Sequence, residues 1–321
     1  MSVRAAVVGT GFMGRTHLQA YRGVPGVDVV GVVSRSATAV DDVPAFGSIA
    51  ELLARVRPDI VSVCTPTALH APAVRELAAA GVDIVCEKPL AGDPATAAAL
   101  VTECHERDVH LFVAHVLRYF EQYARAAQVA AAGELGRVST VRLRRSVPTP
   151  SGAEDWFRDA AASGGVVLDL LIHDIDFLVG LLGAPSHVYA RRRAVLDTEH
   201  VVATLRFPTG ELAFLEGAWG GTSSLEYGCE IAGSDGTLAF DSQPKVPLRL
   251  ERPGAATSTV VEQPSNRDPY RDQLADFVVH RLGEPSPDEA AVLAVRVCAA
   301  LDRAARTGRT VALEEVAPWR T

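Results

Sequence analysis

The strongest constraint on the fold is an alternation, in the first third of the chain, between short apolar runs and helix-like segments. Runs rich in β-branched residues occupy positions 3–9, 27–33, 59–64, 82–87 and 110–115. Amphipathic or alanine-rich stretches such as 68–81 and 93–108 lie between them. Continuous apolar strands that alternate with helices are typical of a parallel sheet covered by helices on both faces. The sequence therefore predicts an α/β, doubly wound N-terminal domain.

The pattern changes in the rest of the chain, where β-rich runs follow one another between 186 and 262 without a long helix. The other predicted elements there are a strand at 137–145 and helices near 119–132 and at 163–182, 268–283 and 286–307. Successive strands joined by short turns favour an antiparallel sheet. We therefore expect two domains. We expect residues 1–120 to form the doubly wound α/β domain, and residues 121–321 to form an α+β domain with a large, open, mostly antiparallel sheet.

Composition and charge exclude several classes of protein. The formal net charge of −8 is opposite to the basic balance that a nucleic-acid-binding domain needs. The five cysteines have neither disulfide-framework nor zinc-ligand spacing, which favours free thiols in a reducing compartment. The chain begins a strand pattern at once, without an export signal, and it has no apolar window long enough to span a membrane. We expect a soluble, cytoplasmic protein without nucleic-acid or membrane partners.

The segment GTGFMG, which begins at Gly9, directly follows the first predicted strand and opens a helix. This is the context in which a G-x-G-x-x-G sequence binds a dinucleotide, so we expect residues 1–120 to be a Rossmann dinucleotide-binding domain. Gly9 permits a tight turn, Gly11 lets the backbone approach a pyrophosphate, and Gly14 allows close helix packing. The helix N-terminus supplies amide donors, and Phe12 and Met13 are included in the predicted site. The alternative is a glycine-rich turn that binds nothing.

The end of the second predicted strand indicates which dinucleotide is bound. A site that prefers NAD usually carries an acid there, which binds the ribose hydroxyls. Here Ser34 and Arg35 occupy that place, and the nearest acids, Asp41 and Asp42, lie beyond the turn. Serine and arginine can bind a 2′-phosphate, which a carboxylate would repel. We therefore expect NADP(H) to be preferred or tolerated, with NAD(H) also possible. The alternative is a solvent-facing Arg35 and dual specificity.

The segment CEKPL contains Lys88, one of only two lysines among 31 basic residues. A lysine can lose its proton when it is buried or crowded, whereas an arginine effectively cannot. Lys88 follows an apolar strand at the carboxyl edge of the predicted sheet, where ligands of α/β proteins bind. We therefore predict that Lys88 is catalytic and that Glu87 lies in the cofactor site. The alternative is a surface ion pair between Glu87 and Lys88, and the isomer of the Lys88–Pro89 bond stays open.

The predicted helix 163–182 is apolar at nearly every position, so its few polar residues need an explanation. Asp169, His173 and Asp176 fall within an arc of about 60° on a regular helix, and Asp174 points elsewhere. A carboxylate four residues from a histidine can accept its ring hydrogen and orient it as a general base. The alternatives are a buried hydrogen-bond network without a chemical role and a metal site. The metal site lacks sufficient ligands, so we predict no metal.

These motifs together, GTGFMG, CTPTALH (64–70), CEKPL and SGG…DLLIHDID, resemble the glucose–fructose oxidoreductase/inositol dehydrogenase/rhizopine-catabolism (Gfo/Idh/MocA) family. The resemblance covers the whole chain in order. It implies that Lys88, Asp169 and His173 transfer the proton at a substrate hydroxyl, and that Asp176 binds substrate hydroxyls. It also implies that the loop after the third strand lines the cofactor, through Thr65, Pro66 and His70. The departure from inositol dehydrogenases is the Ser34–Arg35 pair, where they typically carry an acid.

The resemblance implies a reversible, NAD(P)-dependent oxidation of a secondary hydroxyl on a cyclic polyol or sugar. Two alternatives stay open: an NAD-dependent glycosidase, and a non-catalytic dinucleotide-binding regulator. Family members often form dimers or tetramers through the antiparallel sheet, so we expect a homo-oligomer, unless a helix covers that face.

Three further residues are candidates for the substrate site. His115 closes the fifth predicted strand, where it contacts the nicotinamide or has a structural role. Arg118 follows at the boundary between the predicted domains and binds substrate or forms an ion pair there. Tyr270 opens the helix at 268–283 and resembles a substrate-site tyrosine of the family, with a core position as the alternative.

Overall fold

The computed structural model describes residues 2–35, 39–150, 159, 163–242, 246–251, 259–262, 267–280 and 288–316. The α-helices are α1 Phe12–Arg22, α2 Ile49–Arg55, α3 His70–Ala79, α4 Pro94–His105, α5 Glu121–Ala131, α6 Ile172–Leu182, α7 Pro269–His280 and α8 Asp288–Thr307. Short 3₁₀ turns occupy Thr67–Leu69, Val116–Tyr119 and Leu313–Glu315, and a π-helical turn occupies Val166–Leu170. No helix in the described ranges is both long and apolar enough to cross a membrane.

The contacts between Cα atoms divide the chain into two compact units, residues 1–119 with 267–292 and residues 120–266 with 293–321. The predicted boundary between the two domains lies after residue 120. The structure differs because helix α7 packs against α1 in the first unit, where Leu274 and Phe277 join the hydrophobic core. The apolar pattern of a helix shows that one face is buried but does not show which core buries it.

The first unit is built on a parallel sheet. Its strands are β1 Val3–Val8, β2 Val27–Val33, β3 Ala45–Phe46, β4 Ile60–Val63, β5 Asp83–Glu87 and β6 Leu111–Ala114. Their order is β3-β2-β1-β4-β5-β6, and all five pairings are parallel. Every residue of β4, β5 and β6 is buried, which explains their continuous apolar sequences. The predicted doubly wound sheet is confirmed, and β3 and α2 are additional elements that the sequence analysis did not name.

The strand order reverses its direction of winding between β1 and β4. In open α/β sheets, ligands bind at the carboxyl ends of the strands where this reversal occurs. The glycine-rich segment follows β1, the loop Thr65–Pro66 follows β4, and Lys88 follows β5. The topology therefore brings three of the predicted motifs to one edge of one sheet.

The second unit contains a nine-stranded sheet. Its strands are β7 Val138–Val147, β8 His187–Val195, β9 Thr198–Arg206, β10 Leu212–Trp219, β11 Glu226–Gly233, β12 Thr237–Asp241, β13 Val246–Glu251, β14 Thr259–Glu262 and β15 Val311–Ala312. Their order is β14-β13-β12-β11-β7-β10-β9-β8-β15. Only the β7–β10 pairing is parallel, because β7 inserts between β10 and β11. The expectation of a large, mostly antiparallel sheet is confirmed.

The predicted helix 163–182 is not one regular helix. Gly164 and Gly165 have φ angles of +74° and +64°, and the chain then makes the π-helical turn before α6 begins at Ile172. A π turn holds more residues per turn than an α-helix, and such turns are frequent at functional sites. Asp169 lies within the π turn, so its direction relative to His173 differs from the regular 100° spacing that the sequence analysis assumed.

Candidate active site

The glycine-rich segment has the geometry of a phosphate-binding turn. Gly9 has a φ angle of +97°, and a Cβ atom there would lie 2.6 Å from the carbonyl oxygen of Cys64. A Cβ atom on Gly14 would lie 2.0 Å from the carbonyl oxygen of Gly9, so neither position accepts a side chain. Gly11 is the N-cap of α1, has open space on its Cβ side, and provides no side-chain cap. The first turn of α1 contains no acidic residue, so its amide groups fit a pyrophosphate.

The residues around this turn differ in exposure. Phe12 is 80% exposed and Met13 is half-buried. Ser34 is half-buried, with its backbone amide bonded to the carbonyl of Phe46, and Arg35 is exposed. An exposed phenylalanine beside uncapped amides leaves apolar surface that a bound cofactor could cover.

The acids beyond the second strand lie in a turn of their own, and one of them pairs with α1. Asp41 and Asp42 form a turn with φ angles of +49° and +66°. The Asp41 carboxylate lies 3.6 Å from Nη1 of Arg22, at the C-terminal end of α1. The first polar side chains after β2 are therefore those of Ser34 and Arg35, as the sequence indicated.

Three of the predicted cofactor residues lie in the loop after β4 and at the start of α3. Thr65 and Pro66 are half-buried, and Oγ1 of Thr65 is inaccessible and has no hydrogen-bond partner among the described residues. His70 is only 1% exposed. Its Nδ1 lies 2.8 Å from the carbonyl oxygen of Pro89, and its Nε2 lies 2.8 Å from that of Thr65. His70 therefore bridges two loops, which the sequence analysis did not predict.

Lys88 is half-buried at the end of β5, and the Lys88–Pro89 peptide bond is cis. Glu87 is buried, and its Oε1 accepts a hydrogen bond of 3.0 Å from Nε2 of His17. Burial raises the pKa of Glu87, but the hydrogen bond from His17 and the nearby charge of Lys88 favour the carboxylate, and the pKa lies below its usual value. The alternative of a surface ion pair is wrong because Glu87 is not at the surface.

The hydrogen bonds of His17 continue into the interior of the first unit. Nδ1 of His17 lies 3.0 Å from Oγ of Ser62, and that hydroxyl lies 2.8 Å from the Tyr21 hydroxyl. All three side chains are fully buried. The sequence analysis missed this group. The signal was available, because His17 and Tyr21 are four residues apart on the apolar face of α1.

In the second unit, Asp169 and His173 are half-buried, and Asp176 is only 2% exposed. They lie on successive turns that begin in the π-helical segment and continue into α6. Of the predicted catalytic residues, Lys88 belongs to the first unit, and Asp169 and His173 belong to the second.

Asp174 forms a buried ion pair that the sequence analysis left undetermined. Its two carboxylate oxygens accept hydrogen bonds of 2.7 and 2.9 Å from Nε and Nη2 of Arg145, and Arg145 also donates to the Tyr123 hydroxyl at 3.0 Å. Burial lowers the pKa of Arg145, but the charge of Asp174 outweighs this and raises it above the usual value. The pair joins β7 to the helix that carries His173.

The three remaining candidates lie in the first unit. His115 is buried directly after β6, and Arg118 is half-buried in the 3₁₀ turn that follows. Tyr270 is half-buried and packs against the hydrophobic core of the unit, in agreement with the core alternative. Within the described ranges, no group of three or more histidine, cysteine, aspartate or glutamate side chains could hold a metal ion.

The first unit has a parallel sheet whose strand order reverses between β1 and β4, and the glycine-rich turn at that point leaves the amides of α1 without a side-chain cap. This combination is typical of dinucleotide-binding proteins. Two family models match the chain: an oxidoreductase family with an NAD-binding Rossmann fold over residues 3–115, and the GFO/IDH/MocA C-terminal domain over residues 123–239.

Several similar proteins align with most of the chain. D-xylose 1-dehydrogenase (NADP(+)) 2 of Haloferax volcanii is 30% identical over 88% of this chain and 89% of its own length. Inositol 2-dehydrogenase of Rhizobium meliloti is 26% identical over 78% of this chain and 79% of its own. The crystal structure of GenD2 from gentamicin A biosynthesis, in complex with NAD, superposes with a TM-score of 0.85 at 29% identity, covering 97% of this chain and 96% of that one.

The chain belongs to the Gfo/Idh/MocA oxidoreductase family, as its motifs indicated. It is an NAD(P)-dependent dehydrogenase or reductase.

Proposed function

We propose that this protein reversibly oxidises a secondary hydroxyl of a cyclic polyol or sugar, with NADP(H) as the preferred cofactor. The observation that carries the proposal is the set of named relatives, which includes a xylose dehydrogenase that uses NADP(+) and an inositol dehydrogenase. This chain retains the lysine and the aspartate–histidine helix that such chemistry needs. A regulator that had lost catalysis would not require them.

In the proposed reaction, His173 removes the proton of the reacting hydroxyl as a general base. Asp169 orients the imidazole, since a carboxylate that accepts the ring hydrogen fixes the tautomer. Lys88 donates a hydrogen bond to the same oxygen and stabilises the negative charge that develops there. Asp176 binds a neighbouring substrate hydroxyl, as the resemblance implies. The nicotinamide, when bound, supplies the hydride acceptor.

The residues proposed to hold the dinucleotide all lie in the first unit. The amides at the start of α1 bind the pyrophosphate, and Thr65 and Pro66 line the cofactor with Phe12. The orphan hydroxyl of Thr65 supports this assignment, because a buried hydroxyl without a partner costs free energy that a ligand contact would recover.

The proposed reaction is tested by a substrate panel of inositols, pentoses, hexopyranoses and deoxysugars, assayed with NAD⁺ and NADP⁺ in parallel at 340 nm. We expect reduced cofactor to accumulate with at least one polyol or sugar, and faster with NADP⁺. Glycosides are included as a control. Cleavage of a glycoside without net accumulation of reduced cofactor would indicate the glycosidase instead, and a silent panel with a bound dinucleotide would contradict the dehydrogenase.

Cofactor preference gives a separate prediction at the end of β2. Replacing Arg35 by alanine removes the charge proposed to bind the 2′-phosphate, and the loss of a charge-assisted hydrogen bond costs about 1.5–3 kcal/mol, or roughly 10- to 150-fold in affinity. We expect the Kd for NADPH to rise by that factor while the Kd for NADH stays unchanged, as measured by nucleotide fluorescence titration. Equal weakening of both cofactors would refute a phosphate contact at Arg35.

A further inference from the structure

Two buried histidines contact the residues on either side of Lys88. His17 comes from α1 and binds the Glu87 carboxylate, which directly precedes Lys88. His70 opens α3, and its Nδ1 lies 2.8 Å from the carbonyl oxygen of Pro89, which directly follows it. Both rings are almost completely buried, at 0% and 1% exposure. The half-buried lysine therefore projects from a segment that is anchored at both flanking residues.

The chemistry of the partners fixes which nitrogen of His17 carries hydrogen. A carboxylate only accepts, so Nε2 of His17 donates to Glu87. Nδ1 is then free to accept from the Ser62 hydroxyl, and Ser62 accepts in turn from the Tyr21 hydroxyl. A neutral imidazole satisfies every one of these contacts, and Glu87 is the only charge in the chain of bonds.

This chain of bonds positions Glu87 but does not conduct protons to solvent. It ends at Tyr21, which is fully buried, and burial raises the pKa of that phenol well above its usual value. A relay needs an exit to water at its far end. The group of Tyr21, Ser62 and His17 therefore acts as a rigid support.

His70 faces two backbone carbonyls, which are both acceptors. A neutral imidazole has one N–H group and donates to one of them, whereas an imidazolium donates to both. Burial lowers the pKa of His70, despite the opposing effect of both carbonyls and of Glu87, and this favours the neutral ring. Only donation from Nδ1 ties α3 to the segment that carries Lys88.

We propose that His17 and His70 are positioning residues for Lys88. His17 acts through the hydrogen bond that its Nε2–H group donates to the Glu87 carboxylate, and His70 acts through the one that its Nδ1–H group donates to the Pro89 carbonyl. The inference deepens the proposed function and rests on it for the role of the amine. Neither histidine touches the substrate in this proposal. Each acts by fixing the place from which the ammonium reaches the reacting oxygen, and a misplacement of about 1 Å can cost about 100-fold in rate.

The two histidines permit a crossed test with matched variants. The amide nitrogen of glutamine reproduces the position of a histidine Nε2, and that of asparagine reproduces Nδ1. His17→Gln therefore keeps the bond to Glu87 and His17→Asn loses it, whereas His70→Asn keeps the bond to Pro89 and His70→Gln loses it. The same two amino acids are thus expected to rank in opposite order at the two sites.

Turnover is measured with NADP⁺ and the best substrate from the panel, and each variant is compared with the alanine variant of its site. We expect His17→Ala and His70→Ala to lower kcat by about 100-fold, with the Kd for NADP⁺ little changed. His17→Gln and His70→Asn should rescue most of this loss, and His17→Asn and His70→Gln should not. A purely structural role predicts no such reversal, so the same ranking at both sites would overturn the proposal.

A second readout does not depend on turnover. The chain has only two lysines, Lys88 and Lys245, so protein labelled with ¹³Cε-lysine gives two resonances, assigned with Lys245→Arg. We expect the Lys88 resonance to move or broaden in His17→Asn and His70→Gln, and to stay near its wild-type position in the rescuing pair. Lys245 is the internal reference.

The two readouts separate the failure of one proposal from the failure of the other. If no panel substrate reacts but the Lys88 resonance follows the crossed pattern, the positioning is correct and the proposed reaction is wrong. If the wild type turns over but the Lys88 resonance does not differ between the two pairs of variants, the positioning role of the histidines is refuted and the proposed reaction stands. Should one pair of variants not fold, the pair at the other histidine tests its own bond independently.

Discussion

Replacing Lys88 by alanine is expected to lower kcat by a factor of about 10² to 10⁴, the range typical of general acid–base groups, while the Kd for the dinucleotide stays near wild type. The amine is proposed to bind the oxygen whose charge changes during the reaction, so its loss affects the transition state more than the ground state. Initial rates give kcat, and fluorescence titration gives the Kd. The matched control is Lys245→Ala, which removes the only other lysine of the chain and should leave kcat unchanged.

His173→Ala is expected to have an effect of the same order, because the proposed reaction has the general base and the ammonium act on one oxygen. Asp169→Asn should cost less than His173→Ala, since the amide keeps the shape of the carboxylate but no longer favours the required tautomer. Near-normal turnover in Lys88→Ala or in His173→Ala would refute the assignment. If both dinucleotide affinity and turnover collapse together, the loss would instead indicate a disturbed fold.

The sheet of the first unit was predictable because its strands are buried on both faces. Such strands carry continuous apolar sequences, and α/β alternation leaves few other topologies. The two-residue strand β3 and helix α2 were missed, since a strand as short as Ala45–Phe46 has too few residues to show a period. The allocation of α7 to the first unit depends on contacts distant in sequence, which local patterns do not contain.

The candidate site was predictable where a motif has its own local context, as at Gly9–Gly14 and Lys88. It was not predictable where a buried polar residue meets a partner far along the chain. His17 and Glu87 are 70 positions apart, and Arg145 and Asp174 are 29 apart. A usable signal did exist for Arg145, because it has the same strand parity as the buried Val141 and Leu143.

The ion pair of Arg145 and Asp174 leads to the largest expected effect on stability. The side chains of Arg145 and Asp174 are 4% and 0% exposed, so water cannot solvate the charge that remains when its partner is removed. Breaking such a pair costs about 3–5 kcal/mol, because one charge is left buried and uncompensated. We therefore expect Arg145→Met and Asp174→Leu each to destabilise the second unit by about that amount.

The measurement is urea unfolding followed by tryptophan fluorescence. Trp219 is 6% exposed in β10 of the second unit, so its fluorescence reports the unfolding of that unit. A matched surface control is Arg142→Met, since Arg142 pairs with Glu230 where both side chains are largely exposed. That change should cost less than about 1 kcal/mol. An equally small cost at Arg145 would contradict the buried geometry.

A triple variant distinguishes the net contribution of the pair from the cost of breaking it. Arg145→Met, Asp174→Leu and Tyr123→Phe together replace both charges and the hydroxyl that Arg145 donates to, and leave an apolar cluster against Phe177 and Phe240. Replacing a whole buried pair by apolar groups is often neutral or stabilising by about 1–4 kcal/mol. We expect the triple variant to regain wild-type stability. Since Asp174 directly follows His173, a triple variant that is stable yet slow would mean that the ion pair orients the helix of the proposed general base. A triple variant that is stable and fully active would mean that the pair is required neither for net stability nor for turnover.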